Sequence, residues 1–135
     1  MTPTTCIALG LGCDRGTPAS TVACCIGEAL AQAGATLADV HAVASIDLKA
    51  DEPGLAEVAQ SNGWQIRFYP AAELAAVEVP NPSETVRKYT GTPSVSEAAA
   101  LLAAGADQSQ LIIEKHKLRG PDGRNATVSI ARIPQ

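Results

Sequence analysis

The fifteen residues Cys6-Ile-Ala-Leu-Gly-Leu-Gly-Cys-Asp-Arg-Gly-Thr-Pro-Ala-Ser20 constrain this chain more than any other stretch. The apolar run Cys6–Leu9 reads as a buried strand. Gly10, Gly12 and Gly16 follow, enclosing Cys13, Asp14 and Arg15. Thr17-Pro18 then starts a helix, with a hydroxyl able to cap and a proline at the first helical position, where its missing N–H is not needed. Strand, glycine-rich loop and helix N-terminus in this order place the loop at the carboxyl end of a strand, where open α/β sheets bind ligands. Helix N–H groups favour an anion there, and Arg15 adds a full positive charge. The spacing is neither a dinucleotide fingerprint nor a P-loop, which would need a third glycine or a Gly-Lys-Ser/Thr at fixed offsets. The glycines also suit a plain tight turn; Cys13 and Arg15 beside them favour a ligand site.

The chain has 135 residues, 46% of them apolar, with Trp64, Phe68, Tyr69 and Tyr89 the four aromatic residues. That length suits one domain, residues 1–135, with a core of Ala, Val, Leu and Ile. So few aromatic rings leave no stacking platform for single-stranded nucleic acid. Charge is uneven. Residues 114–135 carry Lys115, Lys117, Arg119, Arg124 and Arg132 against Glu114 and Asp122, a net +3, leaving −7 on the rest of a chain whose total is −4. A basic end on an acidic body suits a small anionic ligand better than DNA. Cys6, Cys13, Cys24 and Cys25 lack the spacing of a disulfide framework or a zinc site, so no metal or cofactor is expected. No stretch reads as a signal peptide or a membrane span, and a reduced, cytoplasmic protein is expected.

A helix over Pro18–Ala33, with an apolar stripe at Val22, Ile26, Ala29 and Leu30, ends at Gly34. Cys24 and Cys25 within it read as small core residues. His41–Ile46 is a second buried strand, whose carboxyl end delivers Asp47 and Lys49 to the edge occupied by the glycine loop. If the strand continues, these two side chains point to one side. Pro53–Asn62 is a helix, Trp64–Tyr69 a half-buried edge strand, and Pro70–Ala76 a short helical turn. Val79–Pro82 reads as extended, and Ser83 caps a helix over residues 84–90 that Gly91 ends. Ser94-Val-Ser-Glu97 is a capping box opening an alanine-rich helix, Val95–Ala104. Gln110–Leu118 and Ala126–Ile133 flank a glycine-containing loop as a β-hairpin. Lys115 and Lys117 share one face of its first strand, either as a solvated edge or as ligands to a carboxylate. Neither His41 nor His116 shows a triad partner nearby in sequence. The fold expected is a three-layer αβα sandwich, with a parallel βαβαβ half and an antiparallel C-terminal hairpin in one mixed sheet.

Four stretches in this order resemble one family over nearly the whole chain: Gly10–Thr17, Ala44–Lys49, Pro82–Val86 with Ser94–Leu101, and Ile113–Lys117 with Ala126–Arg132. The family is that of the cobalamin-biosynthesis protein CobE, which is also the C-terminal domain of CbiG proteins. Its usual Gly-Cys-Arg-Arg-Gly-Thr pattern makes Asp14 a departure that removes one positive charge. The length matches the stand-alone form. The resemblance implies a cytoplasmic role in building the corrin ring, with a carboxylate-ringed precorrin or corrinoid as ligand and other pathway enzymes as possible partners, and no nucleic acid or membrane. In that reading Gly10, Gly12, Arg15, Gly16, Thr17 and Lys49 grip carboxylates. Lys115 and Lys117 guard the opening, Asp47 and Glu97 orient groups or accept protons, and Ser94 binds the ligand, unless Ser94 and Glu97 only cap their helix. A carrier or accessory enzyme is the first expectation. The alternatives are a CbiG-like hydrolase or lyase with Cys13 as nucleophile and Asp47 in acid–base work, and a non-catalytic partner subunit.

Overall fold

The computed structural model describes residues 6–77 and 95–134. Five strands form one sheet: β1 (Ile7–Cys13), β2 (Val40–Ile46), β3 (Ile66–Tyr69), β4 (Leu111–Arg119) and β5 (Asn125–Arg132), in the order β3-β2-β1-β5-β4. β1, β2 and β3 are parallel, and β5 lies antiparallel to both β1 and β4. The mixed sheet with a parallel half and a C-terminal hairpin is the expected architecture.

β1 is the central strand, and its two faces meet different layers. Ile7, Leu9 and Leu11 point toward α1 (Ala19–Ala33) and α2 (Pro53–Asn62), where they pack with Val22, Ile26, Leu30, Leu55 and Val58. Each such aliphatic side chain contributes roughly 1.5–3 kcal/mol when fully buried. The other face carries small residues, Ala8, Gly10 and Gly12. They lie under α4 (Val95–Ala104), which brings Ala98, Ala99, Ala100 and Ala104 to the sheet. α3 (Ala71–Ala75) covers the flank of that layer through Leu74. Small side chains on both surfaces let α4 approach closely, so the contact between α4 and β1 is made without aromatic rings.

This packing corrects the expected end of the first strand. The strand does not stop at Leu9 but continues to Cys13, with Gly10 and Gly12 paired to Ser129 and Thr127 of β5. A Cβ on Gly10 would lie 1.8 Å from the Ser96 carbonyl oxygen and 2.6 Å from the Ala100 nitrogen. Gly10 is therefore a packing residue under α4, and the true loop is Asp14–Pro18.

The helix start is corrected as well. Pro18 is the N-cap of α1 and no side chain caps it; the Thr17 hydroxyl is spent elsewhere. Helix ends fall as expected at Gly34, Gly63 and Gly105, all with positive φ. Cys25 is buried as expected for a core residue, whereas Cys24 is exposed. Ser94, the extended Val79–Pro82 and the helix expected over residues 84–90 lie outside the described residues.

Candidate functional site

The loop after β1 is held to the end of the C-terminal hairpin. Asp14 donates its N–H to the Asn125 carbonyl at 2.9 Å, and its Oδ2 accepts from the Asn125 backbone N–H at 2.8 Å and from Nδ2 at 3.1 Å. The Thr17 hydroxyl donates to the Asp14 carbonyl at 2.7 Å, and Arg124 Nε donates to the Arg15 carbonyl at 3.0 Å. These bonds give the charge departure at position 14 a structural role, because a carboxylate accepts what arginine could not. Gly16 sits at φ 81°, a conformation that glycine adopts without a Cβ penalty.

Arg15 is not an open anion clamp. Its Nη1 lies 2.9 Å from Asp51 Oδ1 and 3.0 Å from Glu52 Oε2, and Nη2 donates to the Leu48 carbonyl at 3.1 Å. The bond and charge of Asp51 raise the guanidinium pKa further, and the guanidinium in turn holds the Asp51 carboxyl below its ordinary range. Glu52, with a side chain only 1% exposed, also accepts the Gly16 N–H at 2.9 Å. The ion pair with Arg15 at Oε2 and the Gly16 N–H at Oε1 offset part of the cost of burying this carboxylate.

Cys13 points to the α1–α2 side and is half-buried at the rim of that core. Burial pushes its thiol pKa up, Lys49 pulls it down, and Glu52 and Asp14 push it up again. The Thr17 side chain also pulls it down, more weakly than the others act. The net direction is opposite to that of an activated thiolate. Asp47 and Lys49 do not share a side. β2 ends at Ile46, and Asp47–Lys49 turns as a 3₁₀ segment whose Asp47 carbonyl accepts the Ala50 N–H at 3.0 Å. The two-residue alternation of a strand therefore does not extend to them. Asp47 is exposed, while Lys49 is half-buried near Cys13.

The other face of the same edge holds a second group. Gly12, Thr127 and Lys117 align across β1, β5 and β4. A Cβ on Gly12 would fall 2.5 Å from Thr127 Oγ1. Lys115 reaches Glu97, which is fully buried in the first turn of α4, at 3.8 Å. The Ser129 and Ser96 hydroxyls are hydrogen-bonded at 2.9 Å, tying that turn to the sheet. An acidic side chain in the first helical turn also favours the helix dipole. Of the expected site residues, Cys13, Arg15, Gly16, Thr17 and Lys49 thus gather on the α1–α2 side of the carboxyl end of β1. Gly10, Gly12, Glu97, Lys115 and Lys117 gather on the α4 side, and exposed Asp47 joins neither group through a hydrogen bond or ion pair.

From sequence alone Glu52 is a polar loop residue near a helix start, with little to single it out. Its signal was position, immediately before Pro53 at the start of α2. Nor does the sequence point to a partner for His116, whose Nε2 lies 2.7 Å from Glu28 Oε1 and whose Nδ1 lies 3.0 Å from Gln32 Nε2. Glu28 and Gln32 are one turn apart on α1, yet 88 and 84 residues from the histidine. Among the described residues no cluster of three or more His, Cys, Asp or Glu side chains suits a metal ion. No helix among them is long and apolar enough to cross a membrane.

Residues 7–131, which include both groups, match the family described as cobalamin synthesis G C-terminus. The chain belongs to that family. It is 44% identical over 111 residues to "Protein CobE" of Sinorhizobium sp, covering 81% of this chain and 71% of that protein. It is 41% identical over 128 residues to "Cobalt-precorrin-5A hydrolase" of Priestia megaterium, covering 95% of this chain but 32% of that protein. The chain thus spans about a third of the hydrolase's length. Among solved structures, CobE, described as a protein from the cobalamin (vitamin B12) biosynthetic pathway, superposes with a TM-score of 0.83 at 32% identity, covering 100% of this chain and 98% of that one. The cobalamin biosynthesis protein chiG from Agrobacterium tumefaciens gives 0.68 at 32% identity, covering 96% and 99%. As a member of this family the chain is a cobalamin-biosynthesis protein with the CobE fold.

Proposed function

We propose that residues 1–135 form one domain whose β1 carboxyl end binds a carboxylate-rich precorrin or corrinoid intermediate, and that the protein serves as a carrier or accessory enzyme. One observation carries this reading: among the described residues, Lys49 and Lys117 form no ion pair, although they lie on either side of Gly12-Cys13. Lys117 is two strand spacings from Gly12, about 10 Å. A corrin macrocycle carries acetate and propionate groups around its rim, so cations on either side of this strand end suit two of them. Arg15 is already matched by Asp51 and Glu52 and adds no free charge. Four free cysteines fit the reducing cytoplasm. Burial pushes the Cys13 thiol up, away from an activated thiolate, so the hydrolase reading gains no support from it.

The test is a titration of the purified protein into hydrogenobyrinic acid, followed by its visible absorption and repeated with the same macrocycle carrying amidated side chains. Saturation near one equivalent for the acid, with weak binding of the amide, is expected. Equal binding of both would refute carboxylate recognition, and binding of neither would favour a non-catalytic partner subunit.

A further inference from the structure

Arg15 and Glu52 converge on the backbone around Lys49. Arg15 Nη2 holds the carbonyl of Leu48 at 3.1 Å, and the Glu52 N–H holds the carbonyl of Lys49 itself at 3.0 Å. The Glu52 side chain, 1% exposed, is fixed in turn by the Gly16 N–H and by Arg15 Nη1. Asp51 takes the same Nη1 from the solvent side at 2.9 Å. The peptides on both sides of Lys49 are therefore tied to the β1–α1 loop, and that loop is tied by Asp14 and Arg124 to the hairpin. The guanidinium spends its fork on three oxygens of its own chain, a geometry that lysine's single ammonium cannot reproduce.

We infer that Arg15 and Glu52 are positioning residues, which hold Lys49 beside Cys13 at the carboxyl end of β1 without contacting the ligand themselves. The inference rests on the reading of Lys49 as a carboxylate holder. It makes Arg15 indispensable for its fork rather than its charge.

The test uses Arg15→Lys, which keeps the cation and loses the fork, beside Lys49→Met. Two readouts are taken. The first is the affinity for hydrogenobyrinic acid. The second needs no ligand: the pH dependence of Cys13 alkylation in a Cys6→Ser/Cys24→Ser background, which reports whether Lys49 stays beside the thiol. Arg15→Lys is expected to lose as much affinity as Lys49→Met, about threefold, with no further loss in the double variant. Cys13 is expected to titrate higher in both variants. Wild-type affinity in Arg15→Lys, or unchanged thiol titration there while Lys49→Met moves it, would overturn the inference. Should Lys49→Met bind hydrogenobyrinic acid normally, the ligand reading falls, yet the thiol titration still decides the positioning. If Arg15→Lys does not fold, Asp51→Asn releases one arm of the same network. It is then expected to move the thiol upward, and no movement would overturn the inference.

Discussion

Gly10→Ala tests whether α4 is set by its close approach to β1. The added Cβ would meet the Ser96 carbonyl oxygen at 1.8 Å, the Ala100 nitrogen at 2.6 Å and the Ser96 carbonyl carbon at 2.9 Å. All three are backbone atoms, so no side chain can rotate away. Bringing the 1.8 Å contact out to a tolerable 3.0 Å needs a retreat of α4 by about 1.2 Å, enough to forfeit half or more of the dispersion energy at its inner face. That face carries Ala98, Ala99, Ala100, Leu101 and Ala104, all buried. Overpacking ordinarily costs about 1–3 kcal/mol, and with a rigid helix as the obstacle the upper end, about 3 kcal/mol, applies. For a chain of this size such a loss lowers Tm by roughly 10 °C. Thermal unfolding followed by circular dichroism, with urea denaturation to give the free energy, measures both. A loss below about 1 kcal/mol would refute the argument that Gly10 is there to admit the helix.

Gly27 provides the opposite case. It lies exposed in the middle of α1, and a Cβ there meets nothing within 4 Å, so Gly27→Ala should raise stability by about 0.5–1 kcal/mol in urea denaturation. Cys25 tests burial through pH. Burial first, and Glu28 next, push its thiol up to about 12 from an ordinary 9.0. An acid whose folded pKa is raised contributes stability that is complete below the unfolded value and is lost as pH climbs from 9 toward 12. Iodoacetamide at pH 8.5 should therefore label exposed Cys24 and spare Cys25 until urea unfolds the chain, as read by peptide mass spectrometry. Equal labelling of the two would contradict the burial.

Much of the architecture was legible because it rests on local pattern. Apolar runs followed by turn residues located the parallel strands, and Gly34, Gly63 and Gly105 stopped the helices where left-handed backbone was needed. What escaped depends on partners far along the chain. Gly10 and Gly12 read as loop residues because glycine is a turn former. The place of Gly10 in β1 follows from α4, more than eighty residues later, and that of Gly12 from Thr127 of β5. Thr17 looked like a cap, yet its hydroxyl is claimed by the Asp14 carbonyl, which leaves Pro18 as N-cap. Arg15 looked free because its carboxylate partners are thirty-six and thirty-seven positions away. Strand periodicity put Asp47 and Lys49 on one side, and the 3₁₀ turn separated them. By contrast, Lys115 and Lys117 fell on the α4 face as alternation requires, with the bulges of β4 confined to the segment before His116. Residue types at the site could be read from sequence; which of them remain uncommitted could not.

The most direct test of a carboxylate-binding edge is the affinity of Lys49→Met/Lys117→Met for hydrogenobyrinic acid at low and moderate salt. Two partly exposed ion pairs of about 0.7 kcal/mol each predict a combined loss near tenfold. Salt should also weaken wild-type binding much more than binding by the variant. Unchanged affinity and unchanged salt dependence in the double variant would contradict the account and move the ligand, if one binds, away from the carboxyl end of β1.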